Sequence, residues 1–232
     1  MDLGLRGRGV LVTGGTSGIG RAAAEAVGHE GASVAVTYQG NQRAAAETAR
    51  AIEEAGGSAM TVRLALEDAE SIAAAVDEVV SRWGRLDVLV ANAVQWPTVH
   101  AALAPMRSAG WGRIVLISSG VAEEGVPGPS PYGVAKSGLH GLARQLAWDV
   151  GRDGILVNVV AAGFTLTERN LDAFPDSMRE RVSAQTPSRR LSSPAEVAAL
   201  IAFLGSGANT NLTGEVIREG SSTGRSGHVI EV

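Results

Sequence analysis

The stretch VLVTGGTSGIG at residues 10–20 decides the fold of this chain. Its first four residues form an apolar, mostly β-branched run, which predicts a strand. Glycines follow at positions 14, 15, 18 and 20, and the residues after them have a helical composition. A glycine turn between a strand and a helix points backbone N–H groups at an anion such as a pyrophosphate. The Gly-x-x-x-Gly-x-Gly spacing differs from the common dinucleotide fingerprint, so a turn kept only for tight packing remains the alternative.

The alternation of strand and helix continues along the chain. Apolar runs predict strands at 10–13, 33–37, 58–64, 86–91, 113–118, 155–160 and 214–218, and helical patterns fill 18–30, 42–55, 69–83, 131–150 and 194–204. This order predicts an α/β fold with a parallel sheet and helices on both faces. Because no linker or repeat interrupts it, residues 1–232 are predicted to form one domain, with the Gly- and Ser-rich residues 219–232 as a surface tail.

The composition excludes several classes of function. A net charge of −4 gives no basic footprint for nucleic acid. Cysteine is absent, which rules out a thiol nucleophile and a cysteine metal site. No apolar stretch is long enough to span a membrane and no signal peptide precedes the first strand, so we expect a cytoplasmic protein. Four scattered histidines lack metal-ligand spacing and are predicted to be surface or packing residues: His29, His100, His140 and His228.

Lysine occurs once in the chain, as Lys136, four residues after Tyr132. The other 19 of the 20 basic side chains are arginine. Residues four apart share one face of a helix, and an ammonium beside a phenol stabilises the phenolate. Arginine, a planar fork, is not equivalent to this compact charge. The spacing therefore predicts an acid–base pair, with an accidental surface lysine as the alternative.

Four motifs in order resemble the short-chain dehydrogenase/reductase family, in particular its compact ketoreductases of the 3-oxoacyl-reductase kind. The glycine turn at 13–20 is similar to the family's cofactor turn, and residues 117–120 (ISSG) are similar to its catalytic-serine strand end. Residues 132–138 (YGVAKSG) match its Tyr-x-x-x-Lys motif, 13 residues after Ser119, and residues 154–160 (GILVNVV) match the strand before its nicotinamide loop. The resemblance covers nearly the whole chain. It implies a single-domain, Rossmann-like, doubly wound parallel sheet.

The resemblance also implies roles for individual residues. Tyr132 would give a proton to a carbonyl oxygen as hydride reaches the carbon, Lys136 would hydrogen-bond the nicotinamide ribose, and Ser119 would donate to the substrate oxygen. An acidic residue at the end of the second strand would bind a ribose 2′-hydroxyl, but none follows the strand at 33–37. Arg43 comes soon after, so NADP(H) is favoured over NAD(H). A solvated Arg43 in the first turn of its helix is the alternative. The implied cofactor-binding residues are Gly14, Thr16, Ser17, Gly18, Ile19, Gly20, Tyr38, Gln39, Arg43, Asn92, Tyr132, Lys136, Gly163, Thr165 and Thr167.

The chain departs from the family pattern near the cofactor. Ala65 stands where an acidic residue is expected, and Val94 replaces a glycine that allows close approach to the cofactor. Only 18 residues separate Val94 from Arg113, where the family has a much longer connection that carries its catalytic asparagine. No asparagine occurs in this segment. The shortened connection is expected to expose part of the sheet or to change the assembly, so that any homo-oligomer would have an altered interface.

Two functions remain open on this evidence. The first is an NADP-dependent ketoreductase for a small carbonyl compound with an apolar body, whose substrate loop spans 164–190 and offers Phe164, Leu166, Leu171, Phe174 and Met178. The second is a reductase-derived scaffold that has lost hydride transfer and performs a non-redox step or acts as a partner protein. Cofactor binding would discriminate between the two.

Overall fold

A single seven-stranded parallel sheet forms the centre of the molecule. The computed structural model describes residues 2–93, 96–124 and 130–220. Its strands are β1 (Gly9–Thr13), β2 (Ser33–Tyr38), β3 (Ser58–Arg63), β4 (Val88–Ala91), β5 (Gly112–Ser119), β6 (Ile155–Ala162) and β7 (Val216–Glu219). They lie in the order β3-β2-β1-β4-β5-β6-β7, and each neighbouring pair is parallel. The predicted α/β class and doubly wound sheet are therefore confirmed.

Helices fill the connections between the strands. They are α1 (Gly18–His29), α2 (Gln42–Glu54), α3 (Ala69–Trp83), α4 (Trp96–Ala109), α5 (Val121–Glu124), α6 (Ser130–Val150), α7 (Glu168–Ala173), α8 (Asp176–Gln185) and α9 (Pro194–Leu204), with a short 3-10 helix at Gly151–Asp153. Glu219 belongs to β7 rather than to the expected tail, because its strand pairs with β6 through Ala162. Residues 221–232 of that predicted tail lie outside the described residues, and the single domain over 1–232 stays a prediction.

The sheet is covered on both faces, as a parallel sheet requires. Helices α3, α4 and α6 pack on one face, against inward side chains such as Leu11, Leu89 and Ile114. Helices α1, α2 and α9 pack on the other, against Val12 and Val90. Successive strand residues point to opposite faces, so the central strands read as continuous apolar runs.

The shortened connection after β4 still covers the sheet. Helix α4 begins at Trp96 and buries Val99, Leu103 and Met106 completely or nearly so against β4 and β5. Pro105 lies inside this helix without ending it. The expectation of an exposed strip of sheet is therefore wrong for β4 and β5, whose apolar residues are buried. The expectation that the shortened connection changes the assembly of subunits stays a prediction.

The carboxyl ends of the parallel strands meet at one edge of the sheet. This edge carries the glycine turn after β1, Asn92 after β4, Ser119 at the end of β5 and Gly163 after β6. Ligands of open α/β sheets bind in the crevice outside these strand ends, where the strand order reverses. Here the reversal falls between β1 and β4. Among the described residues, no helix is long and apolar enough to cross a membrane.

Candidate active site

The glycine turn after β1 is closed tightly against its own helix. A Cβ added at Gly20 would lie only 2.2 Å from the Gly14 carbonyl oxygen, and Gly18 has a positive φ of 53°. Ser17 is the N-cap of α1, but its side chain makes no capping hydrogen bond. The first N–H groups of α1 therefore have no side-chain acceptor at the cap and can receive an anion. Ile19 packs against the core, so it offers its backbone rather than its side chain.

A recess lies beside this turn, in the crevice where open α/β sheets bind their ligands. Its volume is about 300 Å³. Gln39 on its rim donates from Nε2 to Glu67 Oε1 at 2.6 Å, and Asn41 caps α2 by accepting from the Ala44 N–H. Its lining residues are Thr13, Gly14, Thr16, Thr37, Tyr38, Gln39, Gly40, Asn41, Leu64, Leu66 and Ala93.

Arg43, the predicted phosphate ligand, does not line this recess. Its side chain is 90% exposed and its Nε lies 3.0 Å from Glu47 Oε1 on the next turn of α2. Ala65 is buried and its N–H donates to the Ser71 hydroxyl, so no carboxylate stands at that position. The alternative of a solvated first-turn arginine therefore describes Arg43 as it stands. Val94, the other departure noted near the cofactor, lies outside the described residues.

Asn92 ties the end of β4 to the glycine turn. Its side-chain Nδ2 donates to the Gly14 carbonyl oxygen at 3.2 Å. Thr13 reinforces the junction, because its hydroxyl donates to the Ala93 carbonyl at 2.6 Å. These bonds hold the two strands on either side of the reversal point in fixed relation, which preserves the shape of the crevice.

The Tyr132–Lys136 pair lies in the first two turns of α6. The Lys136 ammonium donates to the Ile117 carbonyl of β5 at 2.6 Å and lies 5.8 Å from the centre of the Tyr132 ring. Burial lowers the pKa of Lys136 from its usual range. Tyr132 is 47% exposed, so its hydroxyl can meet a ligand from solvent. The residues share a face, as their spacing predicts.

Ser119 ends β5 at the same edge of the sheet. Its hydroxyl oxygen accepts a hydrogen bond of 3.4 Å from the Val121 N–H and is otherwise available as a donor. This contact caps the Val121 N–H locally and uses only an acceptor position of the Ser119 hydroxyl. The segment 125–129, which connects α5 to α6, lies outside the described residues.

The loop after β6 returns to the glycine turn. Thr167 caps α7 by accepting from the Asn170 N–H, and a Cβ added at Gly18 would lie 3.1 Å from its methyl carbon. Thr165 is buried and donates to the Gly163 carbonyl at 3.1 Å. The structure therefore brings Thr167 to the glycine turn, with Thr165 and Gly163 on the same loop, and their role toward a cofactor stays a prediction.

The predicted substrate loop is partly helical. Helices α7 and α8 lie within 164–190, and Phe164 packs edge-on against Phe174 with ring centres 5.2 Å apart. Leu171 is exposed. A recess of about 590 Å³ on this segment is lined by both apolar and charged residues, including Leu166, Arg179 and Arg189. The apolar side chains are present, but arginines accompany them.

A buried histidine beside the site was missed in the sequence. The ring Nε2 of His140 lies 2.9 Å from the Ser118 hydroxyl, and Nδ1 lies 3.5 Å from Glu123 Oε1. Burial first, and then the charge of Arg144, lowers the pKa of His140. One signal was available: His140 follows Lys136 by four residues and so lies on the same face of α6.

Comparison with known proteins agrees with this geometry. Residues 8–100 match the family model described as short chain dehydrogenase, and residues 96–218 match the one described as enoyl-(acyl carrier protein) reductase. A 3-oxoacyl-[acyl-carrier-protein] reductase of Staphylococcus aureus is 32% identical over 232 residues, which cover 89% of this chain and 94% of the relative.

Two solved structures show the same fold with nicotinamide cofactors. A 7α-hydroxysteroid dehydrogenase complexed with NADH and 7-oxo glycochenodeoxycholic acid has a TM-score of 0.90, 27% identity and 96% coverage of both chains. A variant of the actinorhodin polyketide ketoreductase with NADPH has a TM-score of 0.85 and 29% identity, covering 93% of this chain and 97% of that one.

Proposed function

Because the chain belongs to the short-chain dehydrogenase/reductase family and is an oxidoreductase, we propose that it reduces a ketone to an alcohol with NADPH, using Tyr132 as the general acid. One observation carries the proposal. The Lys136 ammonium is anchored to the Ile117 carbonyl, which places the Tyr132–Lys136 turn against the carboxyl end of β5. Ser119 ends that strand, and the glycine turn lies at the same edge of the sheet.

The described residues suit a nicotinamide dinucleotide. The uncapped N-terminus of α1 would receive the pyrophosphate, and the recess around Tyr38 and Gln39 would hold the adenosine. Gly163, Thr165 and Thr167 would face the nicotinamide. When bound, such a cofactor supplies the hydride that attacks the carbonyl carbon.

The residues of the chain would handle the proton and the position of the substrate. Ser119 would donate a hydrogen bond to the carbonyl oxygen and hold it near Tyr132. Tyr132 would transfer its phenolic proton to that oxygen as the carbon–oxygen double bond becomes single. The Lys136 ammonium would stabilise the phenolate that remains. General acid catalysis of this kind contributes about 10²–10⁴-fold to a rate.

We propose NADPH rather than NADH because β2 is followed by no acidic residue. The salt bridge between Arg43 and Glu47 is exposed and worth about 1 kcal/mol at most, so a 2′-phosphate could displace Glu47 from Arg43. The substrate would be a small carbonyl compound whose apolar body meets Leu171 and the Phe164–Phe174 pair. The cytoplasmic location stays a prediction.

We also propose a homo-oligomer that uses the outer face of α6. Trp148 is 87% exposed and Val134 is 74% exposed, and each lies seven residues from Gly141 on one face of the helix. No atom lies within 4 Å of a Cβ added at Gly141, so the helix backbone is open there. Two copies of α6 crossing antiparallel at Gly141 would place Trp148 of each copy over Val134 of the other. Such an isologous contact is self-complementary.

Cofactor fluorescence and turnover test the reductase function directly. NADPH is titrated into the pure protein, and a panel of aliphatic and aromatic ketones is then added. Tyr132→Phe is expected to abolish turnover while leaving the NADPH affinity within about threefold, since one hydroxyl is removed. Ser119→Ala should slow turnover, whereas Ser108→Ala, an exposed serine on α4, serves as the matched control. Absence of binding to NADPH and NADH at millimolar concentration would exclude the reductase and favour the scaffold.

A further inference from the structure

A chain of polar groups runs from the last strand to the catalytic turn; it is partly exposed at Arg218 and Glu123 and buried at His140 and Ser118. Arg218 of β7 pairs with Glu123 of α5, and Glu123 faces His140 of α6. The His140 ring is buried and contacts the hydroxyl of Ser118 in β5. That hydroxyl also lies 3.0 Å from the backbone carbonyl oxygen of Lys136. The chain thus ends on the residue whose ammonium is anchored at Ile117 O.

The hydroxyl of Ser118 has one hydrogen and two acceptors within reach. If His140 Nε2 carries a hydrogen, it donates to Ser118, and Ser118 donates to Lys136 O. If Nε2 carries no hydrogen, it accepts from Ser118, and Lys136 O loses this donor. The state of the imidazole therefore determines where the Ser118 hydrogen points.

The surrounding charges select the state of the ring. Glu123 faces Nδ1 from α5, and a carboxylate can only accept, so the neutral ring places its hydrogen on Nδ1. Arg218 balances Glu123 from β7 and also lies near Glu124, while Arg144 faces the ring from α6 itself. Burial first, and then Arg144, lowers the pKa of His140, so the imidazole gains its second hydrogen only below the usual histidine range.

Resting on the reductase function proposed above, we infer that His140 is a positioning residue of the Tyr132–Lys136 turn and acts through Ser118. With a neutral ring, Ser118 donates to His140, and among the described residues the Lys136 ammonium makes the one remaining hydrogen bond between the Tyr132–Lys136 turn and β5. With a protonated ring, Ser118 also holds the Lys136 carbonyl. Two hydrogen bonds then fix the turn against the strand end that carries Ser119.

Two substitutions imitate the two states. His140→Leu leaves Ser118 with Lys136 O as its acceptor at every pH, and a leucine suits the apolar neighbours Leu139 and Ala143. Ser118→Ala leaves the Lys136 carbonyl without this donor at every pH. The parent protein should resemble Ser118→Ala at pH 8 and approach His140→Leu as the pH falls and the His140 ring gains its second hydrogen. The change in kcat/KM between these limits is expected to be about two- to tenfold, the equivalent of one net hydrogen bond.

The first measurement is independent of catalysis. Imidazole nitrogen NMR shifts of the parent at pH 8 should show hydrogen on Nδ1 of His140 and a hydrogen-bonded, unprotonated Nε2. In Ser118→Ala the Nε2 signal should lose its hydrogen-bond shift. A hydrogen on Nε2 at pH 8, or an Nε2 signal unchanged by Ser118→Ala, would overturn the inference. His140→Leu identifies the signals by their absence.

The second measurement is the pH profile of ketone reduction from pH 8 down to the pH at which the nitrogen shifts show that the His140 ring is protonated. The ratio of parent to His140→Leu should rise as the pH falls, and the ratio of parent to Ser118→Ala should rise with it. His29→Gln, an exposed histidine at the end of α1, should follow the parent at each pH. A ratio of parent to His140→Leu that is constant with pH would reject the positioning role. If the protein neither binds NADPH nor turns over, the reductase proposal fails, and the nitrogen shifts alone decide the role of His140.

Discussion

The Lys136 ammonium donates to the Ile117 carbonyl oxygen at 2.6 Å, so the single lysine of the chain ties helix α6 to strand β5. The same side chain lies beside the Tyr132 ring. A lysine can serve both neighbours because its compact ammonium has three donors on a flexible stem. The fixed strand carbonyl orients one of them and leaves the others for a ligand.

Replacement of Lys136 by arginine should therefore fail to preserve activity. We expect Lys136→Arg and Lys136→Met each to lower kcat by about 100-fold or more, because neither restores a compact charge beside the phenol. Since burial lowers the pKa of Lys136 below its usual 10.5, the ammonium is lost as pH rises through that lowered value. The activity of the parent should accordingly decline on the alkaline side before pH 10.5. Arg50→Met, an exposed residue of α2, is the control. Full activity in Lys136→Arg would contradict this role.

The Gln39–Glu67 hydrogen bond orients the amide of Gln39 at the rim of the recess beside the glycine turn. A carboxylate accepts only, so Nε2 of Gln39 must face Glu67, and Oε1 is left to accept from a ligand. The Glu67 carboxylate beside it is a negative charge at the rim, so it weakens, without reversing, the NADPH preference proposed from the absence of an acidic residue after β2. Glu67→Gln should therefore raise the affinity for NADPH relative to NADH by about three- to tenfold at low salt, and less at high salt.

Fluorescence titration with both cofactors at two salt concentrations measures this ratio. Glu54→Gln removes an exposed charge from the end of α2 and provides the control for overall charge. An equal change in both variants would mean that Glu67 acts only through the net charge of the protein.

The arrangement of the fold was predictable because its signals are local. The β-branched runs alternate with helical periods, and a glycine turn such as the one at Gly18 is recognised from the glycine spacing alone. Ser119, Tyr132 and Lys136 were found by spacing along one strand and one helix. These distances are set by secondary structure, so the sequence contains them.

Contacts between distant segments were not predictable in the same way. His140 meets Ser118 only because α6 packs across β5, and no sequence spacing records that contact.

The assignment of Arg43 to the cofactor rests on its proximity to the end of β2. The Arg43 side chain points along α2 because it pairs with Glu47 one turn later, and this i,i+4 spacing is visible in the sequence. The short helices α7 and α8 lack a clear apolar period, so the loop around Thr167 gave no helical signal.

We expect the Asp87 carboxylate to stabilise the fold at the amino ends of the strands, away from the candidate active site. Its carboxylate is fully buried, accepts from the Gly9 N–H at 2.8 Å and pairs with Arg8 and Arg85. Asp87→Ala would leave two arginines and one strand N–H without their acceptor. Removing one partner of a buried pair costs about 3–5 kcal/mol. The two arginine side chains remain 26% and 41% exposed, so we expect about 2–3 kcal/mol here after solvent screening.

Urea unfolding of the parent and the variant measures this loss. Glu47→Ala breaks the exposed pair with Arg43 and should change the unfolding free energy by about 0.5 kcal/mol or less. If Asp87→Ala and Glu47→Ala lower the free energy of unfolding equally, the burial of Asp87 does not strengthen its ion pairs.

Trp148 should carry the interface between subunits. An indole this exposed leaves a large apolar area in solvent in a monomer, and a second copy of α6 would cover it. Trp148→Glu is therefore expected to shift the protein to a monomer of 23.7 kDa in size-exclusion chromatography with light scattering. Trp96→Glu removes the exposed tryptophan of α4 and should leave the assembly unchanged, because the shortened α4 buries its apolar face within its own subunit. A monomeric Trp96→Glu together with an intact Trp148→Glu oligomer would instead assign the interface to α4.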